Sequence, residues 1–551
     1  MNSSLVIGID LDNTIINYNS AFIRSALQLD FISEDCLSKK LSVSNEISPK
    51  NFVKKHLLTL DNGQYKWESL QGLVYGKFIH YAEIFPGVVN FLAHCQRRGH
   101  KVLFVSHKTE FGHYDKSKTS LRKAALNFLE ENDCFSDAYG IKKKDVYFSN
   151  TRQCKVNKIS ELNCDYFIDD LLEVFEEPHF PKNTKKILFN NKAQSVDRSF
   201  NSWYKINEFF FKTIESKDVS FYAENAIQQS VKKIKKINDV GNSNIFRIEM
   251  KTGDIYAGKL YPDPTFDDRG RLEKEKKACK LFDLNKFQNV SKIIWSDKNL
   301  NFGLFKWIDG SKVKELCNRD IRDSLTFVKA LVSVSKTTNY QAFDLASAAC
   351  ISGKMIEEQI LDRFQKISNV ASLYPDLKIF LDKKLVISIE EMLNFAKENW
   401  IGEFSSILPR DDQLLSPSDF GFHNVIKSKQ GLQFIDFEYF GWDDPAKLTS
   451  DFLLHPGMSL TKKQKKLWVE KMISIFSNDK FFNQRLKLSY SLYGLCWCLI
   501  QLNVFITDED VKNQTTVESS EIKKKQMEQL EKSKKLLKSL NQSYNLELPY
   551  E

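Results

Sequence analysis

Two acidic residues follow a short apolar run near the start of the chain, in the segment VIGIDLDNT. Asp10 and Asp12 are separated by one residue, so on extended backbone their carboxylates point to the same side. In such a pair, one carboxylate can attack a phosphorus atom while the other handles the proton of the leaving group. The segment therefore predicts a phosphoryl-transfer site at the end of a strand.

Further polar groups follow other apolar runs in the first part of the chain. Ser106 closes KVLFVS, Asp169 and Asp170 close YFIDD, and Lys155 opens the helix before the latter run. The carboxyl ends of parallel strands meet at one edge of a sheet, where ligands bind. Carboxylates, a hydroxyl and a lysine gathered there form an oxygen-rich site for Mg²⁺ and phosphate. Lys158 is the alternative cation.

These segments, taken in order, resemble the four signature motifs of the haloacid dehalogenase (HAD) superfamily. The resemblance implies a Rossmann-like HAD domain with a small helical cap at about 20–80. It implies that Asp10 is the nucleophile, Asp12 the general acid or base, and Lys155 the cation that stabilises the phosphoryl group. Thr14 and Ser106 would contact that group. The implied Mg²⁺ ligands are Asp10, Asp12 and Asp169.

A second set of chemistry-bearing residues starts at GNSN, 241–244, a tight turn that can point backbone N–H groups at nucleotide phosphates. Lys259 follows on the next strand, and Glu275 on the next helix is placed to pair with it. Asp309 marks a crossing between two lobes, with adenine expected near 305–307. The predicted nucleotide-binding residues are Gly241, Asn242, Ser243, Lys259 and Glu275.

The region after residue 310 is mostly helical in pattern and carries two further motifs. SDFGFHN supplies Asp419 and Asn424, and FIDFE supplies Asp436 at the end of an apolar strand. An aspartate placed like Asp419 can orient or accept a hydroxyl proton, while Asn424 and Asp436 can hold Mg²⁺ against the phosphates of ATP.

This second set resembles the aminoglycoside phosphotransferase and choline kinase family, especially in QFIDFEYFGWDDPAKLTSDF. The resemblance implies a bilobal, protein-kinase-like α+β domain in which Asp419 is catalytic, Asn424 and Asp436 bind Mg²⁺, and Lys259 with Glu275 positions ATP. The family commonly has His-Gly before the aspartate and a His two positions after it, where this chain has 417–418 (Pro-Ser) and a glycine. Structural hydrogen bonding and substrate contact are both open for Glu438 and Asp451.

The pattern of apolar and polar residues changes along the chain, and with it the predicted secondary structure. Apolar runs alternate with amphipathic stretches up to about residue 211, which predicts a parallel α/β sheet. Residues 231–260 alternate as antiparallel strands, and the rest is helical. The predicted domains are a HAD-like phosphatase domain at 1–212, a linker at 213–228 and a kinase domain at 229–551, with an N-lobe at 229–308 and a C-lobe at 309–551.

Composition excludes several classes of protein. The 551 residues contain 21 Gly and 12 Pro, too few for a collagen-like or linker-dominated chain, and the hydrophobic fraction of 42% excludes wholesale disorder. The net charge of +9 is mild, and the lysines at 232–236 fit an exposed edge strand better than a nucleic-acid patch. Ten scattered cysteines and no signal peptide indicate a reduced, cytoplasmic protein, and the apolar stretch at 491–506 indicates a buried core helix rather than a membrane span.

The leading prediction is a bifunctional enzyme that uses Mg²⁺ and ATP. A phosphatase and a kinase would act on a small phosphorylated or hydroxyl-bearing metabolite such as a sugar, polyol or amino-alcohol, with no membrane partner. Two alternatives stay open: a nucleic-acid end-processing kinase/phosphatase, for which no strong basic stripe is present, and an active kinase with a regulatory HAD-like module.

Overall fold

The computed structural model describes residues 4–33, 48–114, 118–190, 197–211, 216–237, 243–262, 267–506 and 518–546. The chain folds into two compact units of mixed α/β structure. The first comprises Met1–Asp268 and Trp295–Leu304, and the second comprises Arg269–Ile294 and Phe305–Glu551. The predicted catalytic domains therefore differ in their bounds from the compact units, and those domains remain a prediction.

The first unit is built on a six-stranded sheet whose neighbouring strands all pair in parallel, as the continuous apolar runs predict. In spatial order the strands are Val146–Ser149, Lys101–His107, Val6–Ile9, Tyr166–Asp169, Lys185–Phe189 and Arg198–Phe200. The central strand requires a glycine, because a Cβ atom at Gly8 would lie 2.5 Å from Cδ2 of Phe167.

The first unit also contains helices, of which the first three along the chain lie in the region predicted as a cap. They are Asn19–Gln28, Pro49–Leu58, Gly63–Val74, Val88–Arg97, Leu121–Glu131, Arg152–Glu161, Leu172–Phe175 and Trp203–Phe211. A short ladder of Ile16–Asn17 with Glu83–Ile84 joins the two ends of the cap region. Residues 34–47 of the predicted cap lie outside the described residues.

A second, five-stranded sheet follows in the order Ile293–Asp297, Phe302–Lys306, Ile255–Leu260, Asn244–Met250 and Val231–Lys236. Its last three strands pair antiparallel, as predicted. Val231–Lys236 is an edge strand, and its four lysines are exposed, which agrees with the interpretation of KKIKK as an edge rather than a binding patch.

The predicted linker at 213–228 contains a helix, Ser216–Ile227, that is part of the core of the first unit. Asp218 and Tyr222 on this helix are buried. The Tyr222 hydroxyl donates to Oδ1 of Asn90 at 2.9 Å and lies 3.0 Å from Nε2 of His94, and the Asn90 amide donates to the carbonyl of Leu300 at 3.2 Å. The polar composition of this segment predicted a linker. The segment instead forms a packed helix, because its polar side chains bond to residues that are distant in sequence.

The second unit is mainly helical, as predicted. Its helices are Arg271–Leu284, Asn318–Thr337, Gly353–Ala371, Pro375–Phe380, Val386–Asn399, Pro445–Leu454, Lys462–Ile475, Phe482–Gln501 and Glu518–Ser543. Its short strands are Ser311–Lys312, Val425–Ser428 and Gly431–Phe434 in one ladder, and Leu414–Ser416 with Gly441–Asp443 in another.

One helical segment of the described residues, Phe482–Phe505, is long and apolar enough to cross a membrane. In the structure 72% of its apolar window is buried inside the protein, which is the environment of a core helix. No disulfide joins the cysteines of the described ranges.

Candidate active sites

The polar groups of the first predicted site lie together at one edge of the parallel sheet. Asp10 directly follows the central strand, Ser106 lies near the end of one neighbour, and Asp169 ends the other. The three strands are in register, with Ile9 opposite both Phe104 and Ile168. The parallel pairing therefore brings residues that are far apart in sequence to the same position.

Lys155 connects two of the carboxylates. Its ammonium lies 2.5 Å from Oδ1 of Asp10 and 2.6 Å from Oδ2 of Asp169, and all three side chains are buried. The helix that carries Lys155 begins at Arg152, and the hydroxyl of Thr151 caps it. The competing candidate, Lys158, instead pairs with Glu161 at the surface at 2.6 Å.

The electrostatics of this first site favour a bound cation. Burial, opposed by the charge of Lys155, raises the pKa of Asp10 to about 7. Burial and the neighbouring carboxylates also hold the pKa of Asp170 well above its ordinary value. Carboxylate oxygens of Asp10, Asp169 and Asp170 lie within 4.8 Å of one another, so this oxygen-rich set fits Mg²⁺.

The hydroxyl of Ser106 is buried at the same edge of the sheet. Ser106 is 1% exposed, and its Oγ makes no hydrogen bond within the described residues. A buried polar atom left in this way costs free energy unless a ligand satisfies it. Thr14 is also buried, and its hydroxyl donates to Oδ1 of Asp170 at 3.5 Å.

Asp12 is held by two donors that the motifs do not include. The Tyr18 hydroxyl donates to its Oδ1 at 2.7 Å, and the ammonium of Lys108 lies 2.8 Å from its Oδ2. Lys108 is almost fully buried, and only its position two residues after Ser106 could have suggested a role. Lys50, from the cap region, donates to the hydroxyl of Tyr75 at 3.1 Å and has no comparable sequence signal.

The predicted nucleotide-binding residues are divided among several parts of the chain. Gly241 and Asn242 lie outside the described residues, and Ser243 immediately precedes the strand Asn244–Met250. Lys259 is buried on the strand Ile255–Leu260 of the first unit. Glu275 is buried in the second unit, where it accepts a hydrogen bond from the backbone N–H of Phe437 at 3.2 Å.

The second unit gathers three carboxylates around the FIDFE segment. Oxygens of Glu275, Asp436 and Glu438 lie within 4.8 Å of one another. Asp436 has a left-handed backbone with φ of 69°, an uncommon conformation for a residue with a side chain. Glu438 also forms a buried ion pair with Arg271, so its structural contact is now defined. This cluster, too, has the hard oxygen ligands that Mg²⁺ prefers.

The loop that carries Asp419 is fixed next to this cluster. Asn424 donates to the carbonyl of Asp419 at 3.0 Å and to its Oδ2 at 3.2 Å, and the Asn424 carbonyl accepts from the N–H of Ile435 at 3.0 Å. Burial on its own raises the pKa of Asp419, but the hydrogen bond and charge of His423 outweigh it, so the pKa lies below its ordinary value. Asp419 is therefore an ionised acceptor.

Asp444 and Asp451, which follow FIDFE, have structural partners. Asp444 caps the helix Pro445–Leu454 and pairs with Arg485 at 2.7 Å. Asp451 pairs with Lys447 at 2.7 Å and accepts from the indole of Trp497 at 2.8 Å. Structural bonding thus accounts for the carboxylate of Asp451, one of the two alternatives predicted for it.

The chain is similar to solved structures of small-molecule phosphotransferases. An ethanolamine kinase of Plasmodium vivax is 16% identical, covering 60% of this chain and 93% of its own, with a TM-score of 0.39. A spectinomycin phosphotransferase crystallised with ADP and spectinomycin is 9% identical, covering 60% and 99%, with a TM-score of 0.43. A choline kinase from Cryptosporidium parvum is 13% identical, covering 57% and 91%, with a TM-score of 0.37.

These similarities lie below the level at which they assign a family. No family model matches the chain, and no curated protein matches it. The three structures described are all phosphotransferases, so the predicted HAD phosphatase has no support from them. Assignment of either site therefore depends on the geometry within each unit.

Proposed function

We propose that this protein is a bifunctional phosphoryl-transfer enzyme, with an ATP-dependent small-molecule kinase and a Mg²⁺-dependent phosphatase. The observation that carries the kinase assignment is the carboxylate cluster of Glu275, Asp436 and Glu438 beside the loop of Asp419. The proposed substrates are small metabolites with a hydroxyl group, such as sugars, polyols or amino-alcohols, and the proposed compartment is the cytoplasm.

In the kinase reaction, ionised Asp419 would accept the proton of the substrate hydroxyl as its oxygen attacks the terminal phosphorus of ATP. The bond between that phosphorus and the bridging oxygen breaks, and ADP leaves. Asn424 and Asp436 are the residues that would hold Mg²⁺, which neutralises phosphate charge when bound. Lys259 and Glu275 are proposed to position the nucleotide.

The phosphatase assignment rests on a separate observation, the buried bridge of Lys155 between Asp10 and Asp169 beside the unsatisfied hydroxyl of Ser106. Asp10 would attack the phosphorus, and the bond to the substrate oxygen breaks, leaving an aspartyl-phosphate that water then hydrolyses. Asp12 would exchange the protons of these two steps. Asp10, Asp12 and Asp169 are the proposed Mg²⁺ ligands; Asp170 also fits.

The kinase test measures ADP production from MgATP with a panel of choline, ethanolamine, polyols and hexoses. Asp419→Ala should lower turnover by about 10²–10⁴-fold, because a positioned base contributes this much. Asp382→Ala, at an exposed ion pair with Lys378, is the matched control and should match the unsubstituted protein. Equal ATP consumption by the Asp419→Ala variant would refute the kinase.

The phosphatase test measures Mg²⁺-dependent release of p-nitrophenol from p-nitrophenyl phosphate. Asp10→Asn should abolish release, since an amide cannot form the aspartyl-phosphate. Mg²⁺ binding without release would favour a regulatory HAD-like module instead. Tight, salt-sensitive binding of an oligonucleotide would favour the nucleic-acid end-processing alternative, because phosphate contacts give such binding a steep salt dependence.

A further inference from the structure

Two histidines with no predicted role lie at the proposed catalytic aspartate of the second unit; His423 contacts it directly, and His455 contacts His423. His423 Nε2 lies 2.9 Å from Oδ1 of Asp419, and the ring of His455 stacks on that of His423 with centroids 3.8 Å apart and planes inclined by 14°. We propose that His423 is a positioning residue for Asp419, and that His455 holds the His423 ring in place. This inference rests on the proposed kinase function.

The hydrogen bonds around Asp419 use both of its carboxylate oxygens. His423 takes Oδ1, and the amide of Asn424 takes Oδ2. Both donors lie on the same 3₁₀ turn, Phe422–Asn424, so one short segment sets the carboxylate's rotation and direction. A base fixed in this way is already oriented when the substrate hydroxyl arrives, and misplacement of such a group by 1 Å can cost about 10²-fold in rate.

The ring of His455 is itself fixed in position by its neighbours. His455 Nδ1 accepts from the N–H of Gly457 at 3.0 Å, and its ring packs edge-on to Trp497 at 4.9 Å, so it is held on two sides. Because the two imidazoles are stacked with nearly parallel planes, the in-plane nitrogen lone pairs of the two rings lie in separate planes and do not converge on one ion. The cluster of Asp419, His423 and His455 therefore supports the carboxylate rather than a metal.

The pair also addresses a departure from the resembled family, which commonly has histidines at positions where this chain has Pro417 and Gly421. A Cβ atom at Gly421 would lie 2.8 Å from Cε1 of His423 and 3.2 Å from Sδ of Met458. A side chain at position 421 would therefore crowd His423. The glycine and the histidine are mutually consistent features of this loop.

The kinetic test compares variants of His423 and His455 by ATP turnover with the panel described above. His423→Ala should lower kcat by at least tenfold with less than a twofold change in KM for MgATP, and His423→Gln, which keeps an N–H donor, should recover part of the loss. His455→Phe keeps an aromatic stack and should lie closer to the unsubstituted protein than His455→Ala. A smaller folded fraction would also lower the apparent kcat while leaving KM unchanged, so kcat is expressed per mole of folded protein, quantified from the melting curve of each variant.

A second measurement does not require turnover. In ¹⁵N-histidine-labelled protein, the bond to Asp419 requires the proton of His423 on Nε2, and Asp419→Asn should shift that nitrogen resonance. A protonated Nδ1 with a bare Nε2, or a His423→Ala variant with unchanged kcat, would overturn the inference. Absence of turnover in the unsubstituted protein, with the Nε2-protonated tautomer present, would refute the kinase but leave the positioning contact established.

Discussion

Replacement of Lys155 by methionine tests the buried charge bridge of the first unit. The ammonium is 2% exposed and lies 2.5 Å and 2.6 Å from carboxylates that are themselves 7% and 0% exposed. Methionine fills a similar volume without a charge, so Lys155→Met leaves Asp10 and Asp169 buried without their cation. Removal of one partner from a buried ion pair costs about 3–5 kcal/mol.

This cost should be measured by hydrogen exchange of the strand Val6–Ile9, because the chain has two compact units and a single melting temperature would mix them. A loss of about 3–5 kcal/mol corresponds to a fall in amide protection of roughly a hundred- to several-thousandfold. Amides of the helix Phe482–Gln501, in the second unit, provide an internal reference that should stay unchanged.

Two companion variants make the result decisive. Lys158→Met, three residues away, removes a surface pair with Glu161 and should cost no more than about 1 kcal/mol. The double variant Lys155→Met with Asp10→Asn removes one of the orphaned charges and should regain part of the lost protection. If Lys155→Met costs no more than Lys158→Met, the bridge does not hold this site together and the reasoning is wrong.

Three further predictions concern packing, pH and the core of the first unit. Gly8→Ala should destabilise the first unit by about 1–3 kcal/mol, measured by the same exchange, because its Cβ would overlap Phe167. Burial raises the pKa of Asp443 to about 7, so the free energy of unfolding falls as pH rises towards 7. Asp443→Asn should not show this loss. In urea titrations of the second unit, its free energy of unfolding relative to the unsubstituted protein should rise by about 1.4 kcal/mol per pH unit between pH 5 and 7 and stay constant above pH 7. Tyr222→Phe should cost about 1–2 kcal/mol by leaving Oδ1 of Asn90 without the Tyr222 donor, and unchanged amide protection in the strand Val6–Ile9 would contradict this.

Much of the architecture could be predicted because local pattern and tertiary structure agree. Continuous apolar runs predicted the parallel sheet. Polar residues at strand ends, such as Asp10 and Asp169, indicated the edge of the sheet where these side chains meet. The alternating pattern of 231–260 predicted antiparallel strands that the structure contains. The sequence left Lys155 and Lys158 as alternatives, and the structure distinguishes them, because Lys155 lies on the buried face of its helix.

The remaining site residues depend on contacts that sequence spacing does not encode. Lys108 lies beside Asp12 only because the strand Lys101–His107 pairs with the central strand. His455 reaches His423 only through the fold of the second unit. The helix Ser216–Ile227 was predicted to be a linker, since the partner that buries its Tyr222 hydroxyl, Asn90, is distant in sequence.

That helix also limits how the protein can be divided. Ser216–Ile227 contacts the strands Val231–Lys236 and Asn244–Met250, and its Tyr222 ring lies 5.6 Å from that of Phe302. A gene split after codon 228 would yield a C-terminal product whose five-stranded sheet lacks this helix. A break at residue 228, whether by recombination or by a protease, would therefore expose apolar groups that this helix buries.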